Sequence, residues 1–148
     1  MPAPPAPGGA VLLRREARLL VERLRLWTPA RFAASAPPWG TRGDLVHHLA
    51  QDLVDRTALS EGAPARRLPR LDSDLALPDQ LAVSANDLVR AGLSDDDAVP
   101  AAAHLLAHRA ELLEDEIPPG LAAALGLDDV LLAGQKACDG PAECRTPM

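Results

Sequence analysis

Residues 11–27 read VLLRREARLLVERLRLW, and this stretch decides the fold class. Its apolar residues recur at alternating steps of four and three, which is the spacing of one stripe along a helix: Leu13, Ala17, Leu20, Leu24 and Trp27. Thr28 and Pro29 follow, and the residue before a proline is disfavoured in helical conformation. The stretch therefore predicts an amphipathic helix that ends near Trp27.

Three further helices are predicted downstream. The second begins at Thr41 or Gly43 and runs to about Ser60, the third runs from about Pro78 to Gly92, and the fourth runs from Ser94 to about Glu116. Residues 61–77 indicate a long crossing loop, and residues 121–132 indicate one or two short helices. Because no segment alternates as a strand, we expect an all-α antiparallel four-helix bundle with a long loop between helices 2 and 3.

Length and composition favour one domain. The chain has 148 residues and only three aromatic ones (Trp27, Phe32 and Trp39), so its core must consist mainly of Leu, Ala and Val, a set that favours packed helices. We expect residues 1–10 to be a disordered N-terminal segment, because they are rich in Pro, Gly and Ala. Residues 11–126 should form the bundle, and residues 127–148 a short helix with a flexible tail.

The charge balance excludes some classes of function. A net charge of -6 and a pI near 5.1 argue against a nucleic-acid-binding protein, which normally presents a basic face. No signal peptide and no apolar run of bilayer length is visible, so we expect a soluble cytoplasmic protein with no membrane partner, compatible with a homodimer. Cys138 and Cys144 lie six residues apart in a polar tail and are expected to be thiols rather than metal ligands.

The four histidines occupy two places. His104 and His108 are four residues apart in the fourth helix, so their imidazoles point the same way, as in half of a metal site. Glu111 and Asp115 continue the same edge of that helix. A carboxylate there is a candidate ligand, or a group that orients an imidazole by a hydrogen bond.

The other two histidines, His47 and His48, are adjacent in the second helix. His48 aligns with Asp52 and Asp55, whereas His47 lies on the opposite border of the apolar face. Helical angle barely separates the two. The neighbouring carboxylates favour His48 as the third ligand, because they help to balance the charge of a cation.

The residues around these histidines resemble the DinB-like superfamily, which includes the metal-binding domain of mycothiol-dependent maleylpyruvate isomerases. In that superfamily a helix entrance of the form Trp-Thr-x-x-Asp-x-x-x-His-Leu precedes a later pair of ligands four residues apart. Here Trp39, Thr41, Asp44 and His48 follow this pattern, with one extra residue between the Trp and the Asp. The later pair matches His104 and His108, with Glu111 three residues on. The resemblance covers about residues 11–116.

This resemblance implies one divalent metal ion, zinc or nickel, bound by His48, His104 and His108, and it supports His48 over His47. It also implies a thiol-dependent, mycothiol-type transferase or isomerase, in which the metal activates a low-molecular-weight thiol or water. Glu111, or less favourably Asp52, would act as catalytic base or as an orienting group. The partner would be a small-molecule substrate or thiol. We expect no additional C-terminal domain of the isomerase type, which argues against the specific reaction of the isomerases.

Two arginines, Arg109 and Arg42, are candidates for binding a substrate carboxylate. The alternative function is a non-catalytic helical interaction module, in which the histidines are surface residues and the Arg-rich first helix or the acidic fourth helix contacts a protein partner. A third interpretation is a metal-binding relative of the superfamily that has no turnover.

Overall fold

The computed structural model describes residues 8–113, and this part of the chain is mostly helical. The expected all-α class agrees with it. The elements in chain order are α1 (Gly9–Leu24), α2 (Pro29–Ala33), β1 (Ser35–Ala36), β2 (Gly40–Thr41), α3 (Arg42–Glu61), a 3-10 turn (Asp74–Ala76), α4 (Leu77–Arg90) and α5 (Asp95–Leu113). The predicted short helices over residues 121–132, the tail with Cys138 and Cys144, and most of the predicted disordered N-terminal segment lie outside the described residues.

The four longer helices share one apolar core. α1 packs mainly against α4 and α5, and α3 packs against α4 and, over a smaller area, α5. The fully buried large side chains of this core are Phe32, Leu13, Leu20, Leu24, Leu45, Leu49, Leu53, Leu77, Leu81, Leu88, Leu105 and Leu106. Because each buried leucine contributes about 1.5–3 kcal/mol, apolar burial is the main term that holds these helices together.

The directions of the helices differ from a purely antiparallel arrangement. α1 and α5 start at the same end of the molecule, where the Ala10 N–H donates to Asp95 Oδ1 over 3.1 Å. The end of α1 meets the start of α4, where Arg25 and Asp79 form an ion pair at 3.1 Å. α3 and α4 run side by side in the same direction. Two neighbouring pairs, α1 with α5 and α3 with α4, are therefore parallel.

The parallel pairing of α3 and α4 depends on the predicted long connection. The chain runs from Gly62, in left-handed conformation at φ 65°, through an irregular segment to the 3-10 turn. This segment extends for roughly 40 Å when stretched, at about 3.3 Å per residue. It can therefore return along the whole of α4, which has 14 residues and a length of about 21 Å at 1.5 Å per residue.

Both ends of α1 differ from the sequence prediction. The helix begins at Gly9, inside the segment expected to be disordered, because the contact with Asp95 anchors its first turn. It ends at Leu24 rather than near Trp27. Trp27 is buried after the end of the helix and packs against Phe32 of α2, with ring centroids 5.1 Å apart.

A short helix and a small hairpin lie between α1 and α3, and the sequence did not predict either. Thr28 accepts a hydrogen bond from the Arg31 N–H, and Pro29 occupies the first turn of α2, so the residues that were expected to end the first helix instead start the second. Ser35 then pairs with Thr41 in a two-stranded antiparallel sheet. The turn of this hairpin holds Trp39 beside the start of α3.

The start of α5 combines a capping residue with an internal proline. Ser94 accepts a hydrogen bond from the Asp97 N–H, as expected of an N-cap residue. Pro100, however, lies inside the helix in its second turn, not in the first turn where a missing N–H has no consequence. The carbonyl of Asp96 therefore lacks a helical donor, and both residues are exposed, so water can satisfy it.

Among the described helices, none is both long and apolar enough to cross a membrane.

The start of α3 yields a testable prediction. Thr41 and Asp44 form a reciprocal capping box, in which the Asp44 carboxylate accepts the Thr41 N–H over 2.9 Å. This hydrogen bond, together with the Thr41 hydroxyl and the Arg70 guanidinium, holds the pKa of Asp44 below its ordinary value. Asp44→Ala is expected to lower the free energy of unfolding by about 1 kcal/mol at pH 7, measured by urea unfolding.

The sign of the pH dependence follows from the depressed pKa. The stabilisation is complete above the pKa of the unfolded chain and is lost as pH falls through the lower folded-state pKa, so the difference between wild type and variant should shrink below about pH 4. The exposed Asp72 provides the control, and Asp72→Ala should change stability by less than about 0.5 kcal/mol. Equal effects of Asp44→Ala at pH 7 and pH 3 would contradict the role of its charge.

Candidate metal centre between α3 and α5

Three imidazoles meet between α3 and α5. The ring centroids lie 5.8 Å apart for His48 and His104, 6.4 Å for His48 and His108, and 4.6 Å for His104 and His108. His48 flanks the buried Leu45 and Leu49 on α3, and the other two flank the apolar face of α5. The structure thus brings together all three residues that the resemblance implies as ligands.

His47 points elsewhere. Its Nε2 lies 3.0 Å from the carbonyl oxygen of Leu68 in the long connection, and because that oxygen only accepts, the imidazole donates. His47 therefore holds the connection against α3 and takes no part in the imidazole cluster. Helical angle alone did not show which of His47 and His48 would lie in the cluster. The hydrogen bond to Leu68 places His47 outside it.

Trp39 forms part of the same cluster. Its ring centroid is 4.3 Å from that of His48 and 5.5 Å from that of His108, and the second contact is edge-on. The resemblance placed Trp39 only at the entrance of the second predicted helix. In the structure the half-buried indole covers two of the three imidazoles, so it limits the access of water from that side.

Glu111 contacts His108. Its Oε2 lies 3.2 Å from His108 Nδ1, and because a carboxylate only accepts, Nδ1 must carry the proton. The neutral form of this tautomer has its lone pair on the other ring nitrogen, Nε2. A carboxylate in this position fixes the tautomer and the orientation that a metal-binding imidazole needs. The Glu111 side chain is 45% exposed, so its second oxygen remains accessible to solvent.

His104 has an unusual environment. Its Nε2 is buried and has no hydrogen-bond partner among residues 8–113, and the nearest acid, Asp52, is 4.0 Å away. Asp52 is engaged by Arg56 at 2.8 Å. Burial lowers the pKa of His104, Asp52 opposes this, and the neighbouring His108, Arg56 and His48 add to it. The ring is therefore neutral at pH 7, which is the form that binds a metal ion.

The two arginines predicted as substrate ligands have other roles. Arg109 Nη1 lies 2.6 Å from Oε2 of Glu16, whose side chain is only 3% exposed, so this arginine neutralises a buried acid on α1. Arg42 lies at the start of α3 with its guanidinium carbon 5.9 Å from the Trp27 ring centroid. Neither contact leads to the imidazole cluster. The burial of Glu16 could have been predicted, because this residue lies four positions from both Leu12 and Leu20 on the buried stripe of α1.

The fit of a metal ion rests on the donors and their spacing. Among the described residues, no group of three or more His, Cys, Asp or Glu side chains is arranged so that it holds an ion as it stands. Two imidazoles on one tetrahedral zinc ion have ring centres about 5 Å apart. Two of the three ring pairs lie somewhat beyond this spacing, so the imidazoles would have to approach one another slightly, and turn about their broad χ2 torsions, to direct one nitrogen each at a single ion. The three-imidazole donor set and the partnerless Nε2 of His104 both fit a divalent metal.

A cleft of about 820 Å³ opens beside the cluster, between α3 and residues 65–70, and both His47 and His48 line it. The candidates Asp115, Cys138 and Cys144 lie outside the described residues. Comparison with models of known protein families, with characterised proteins and with solved structures finds no match for this chain. The DinB-like resemblance therefore stays a prediction.

Proposed function

We propose that this chain is a divalent-metal-binding protein with a DinB-like four-helix bundle, in which His48, His104 and His108 bind one zinc or nickel ion. The observation that carries the proposal is the meeting of the three imidazoles with His104 Nε2 buried and, among residues 8–113, without a hydrogen-bond partner. Native structures rarely bury a polar atom in this way, because it loses its hydrogen bonds to water. A metal ion would use the lone pair of this nitrogen.

Held by these three imidazoles, a divalent metal would leave a position for water or a thiol and would lower the pKa of that group. The chain's own residues do the rest. Glu111 orients His108 and offers an accessible carboxylate oxygen as a general base. Trp39 restricts water on one side of the rings.

The reaction class is proposed from the DinB-like resemblance. We propose a mycothiol-type transferase or isomerase that uses a low-molecular-weight thiol and a small-molecule substrate. The cleft next to His48 supports this, because a substrate there lies beside the imidazole cluster. The alternative is a non-catalytic interaction module with surface histidines. It predicts no specific metal binding.

The test is metal loading of protein purified without a histidine tag. After reconstitution with zinc or nickel and gel filtration, we expect about one metal ion per chain, and less than about 0.2 would reject the site. Glu111→Gln is expected to weaken zinc binding by about 10–100-fold in competition with a chelating dye, because it loses the carboxylate that orients His108.

The matched control is Glu22→Gln, an exposed glutamate on α1. This variant should bind zinc as the wild type does. If wild type and Glu111→Gln bind zinc equally well, Glu111 does not orient the ligand, although the metal site itself would stand.

A further inference from the structure

The cleft beside His47 and His48 is suited to a small molecule. Its volume of about 820 Å³ falls within the range of about 300–1,000 Å³ that is typical of ligand sites. One wall is α3, and the other is the segment of residues 65–70 in the long connection. Because His48 belongs to both the cleft and the imidazole cluster, a molecule bound here has one end next to the proposed metal ligands.

The wall formed by the connection is rich in arginine. Arg66 pairs with Glu61 at 3.2 Å, and Arg70 pairs with Asp74 at 2.7 Å. Within residues 8–113, Arg67 is the one arginine of this wall that has no acidic partner. Although the whole chain carries a charge of -6, this cleft therefore presents one guanidinium whose charge no described side chain neutralises.

The backbone around Arg67 is held on both sides. The Gln51 side chain donates to the Arg66 carbonyl over 2.8 Å and accepts the Leu68 N–H over 2.7 Å. His47 donates to the Leu68 carbonyl, and Gln80 donates to the carbonyl of Pro69 over 3.1 Å. Four hydrogen bonds from α3 and α4 thus order this segment. A ligand that binds Arg67 does not have to order the loop, which favours its affinity.

We propose that Arg67 binds the carboxylate of a small organic anion in this cleft, with the remainder of the molecule directed towards His48. A guanidinium matches a carboxylate with two parallel hydrogen bonds, and one positive charge balances one such group. Asp55 also lines the cleft, and its charge repels a carboxylate from that side of it. The role of this anion as a substrate rests on the proposed metal centre, whereas its binding does not.

The experiment measures binding to metal-free protein with succinate as the probe. Ring signals of the four histidines are followed by NMR at fixed pH, with chloride used to keep ionic strength constant. We expect a saturable shift of the His47 and His48 signals with a dissociation constant of about 1–10 mM, the range for one charge-assisted contact with little apolar burial. Arg67→Ala should raise this constant about tenfold, because it removes that contact.

The control variant is Arg90→Ala. Arg67 also lines a second cleft of about 640 Å³ between α3 and α4, where Arg90 lies, and Arg90 does not line the cleft beside His48. Arg90→Ala should bind succinate as the wild type does, and inorganic phosphate should bind the wild type no more tightly than succinate. Absence of saturable binding, equal losses in both variants, or tighter binding of phosphate would each overturn the proposal.

Repeating the titration after zinc reconstitution separates this inference from the proposed function. Zinc loading without succinate binding would overturn the carboxylate site and leave the metal centre. Succinate binding that depends on Arg67 in a protein that takes up no zinc would support the carboxylate site and reject the metal centre.

Discussion

Replacing His104 with alanine is expected to abolish specific zinc or nickel binding. His104 has the buried Nε2 without a hydrogen-bond partner among the described residues, and its burial keeps the ring neutral at pH 7. Removing one of three protein ligands should weaken binding by at least about a hundredfold, more than the loss of an orienting carboxylate does. The measurement is metal content of untagged protein after gel filtration, and we expect less than about 0.2 ion per chain.

His47→Ala is the matched control, because it removes an imidazole from α3, next to His48, without touching the cluster. It loses the hydrogen bond to Leu68 and should cost about 1 kcal/mol of stability while metal content stays near that of the wild type. Circular dichroism of both variants reports whether they fold. If the two variants lose metal equally, the choice of His48 over His47 as ligand is wrong.

Replacing Arg109 with methionine is expected to have the largest effect on stability. The Arg109 guanidinium contacts Glu16 at 2.6 Å, and the Glu16 side chain is 3% exposed. Methionine keeps much of the length of the side chain but leaves the buried carboxylate without its cation. Breaking a buried ion pair from one side typically costs about 3–5 kcal/mol. Urea unfolding should therefore show the loss of a large fraction of the stability of the domain, which is typically about 5–15 kcal/mol.

The double variant Glu16→Leu/Arg109→Met tests the cause. Since it removes both charges and fills the space with apolar groups, it should recover most of the stability lost in Arg109→Met. Arg90→Met, at an exposed position on α4, should change stability by less than about 0.5 kcal/mol. A similarly small effect of Arg109→Met would show that the contact with Glu16 contributes nothing.

Much of the helical layout was predictable because local signals determine it. The apolar stripe of α1, Thr41 at the start of α3 and Gly62 at its end act within one or two turns, and each appears in the sequence. The short α2 also has local signals, because Thr28 caps it and Pro29 occupies its first turn, but the same two residues equally well end a preceding helix. The hairpin was missed because each of its strands pairs over only two residues, too few for an alternating pattern.

The candidate site also combines local and distant determinants. Spacing along one helix predicts that His104 lies beside His108. Helical angle on α3, however, barely distinguishes His47 from His48 as the third imidazole. The fold keeps His47 out of the imidazole cluster, because its ring donates a hydrogen bond to the Leu68 carbonyl, 21 positions further on. The partner of Arg109 lies 93 positions away. No local pattern around an arginine reports which acid it will meet at such a separation.

The packing of α1 has a consequence for synthesis of the protein. α1 leaves the ribosome before the other helices, yet its main neighbours are α4 and α5, and α5 ends at Leu113. At about 5–20 residues per second, translation from Leu24 to Leu113 takes roughly 5–20 s. During this interval the stripe around Leu13 and Leu20 lacks at least one of its two main neighbours, because α4 is complete only at Arg90 and α5 only at Leu113. The nascent chain therefore exposes apolar helix surface until the last helix has been synthesised.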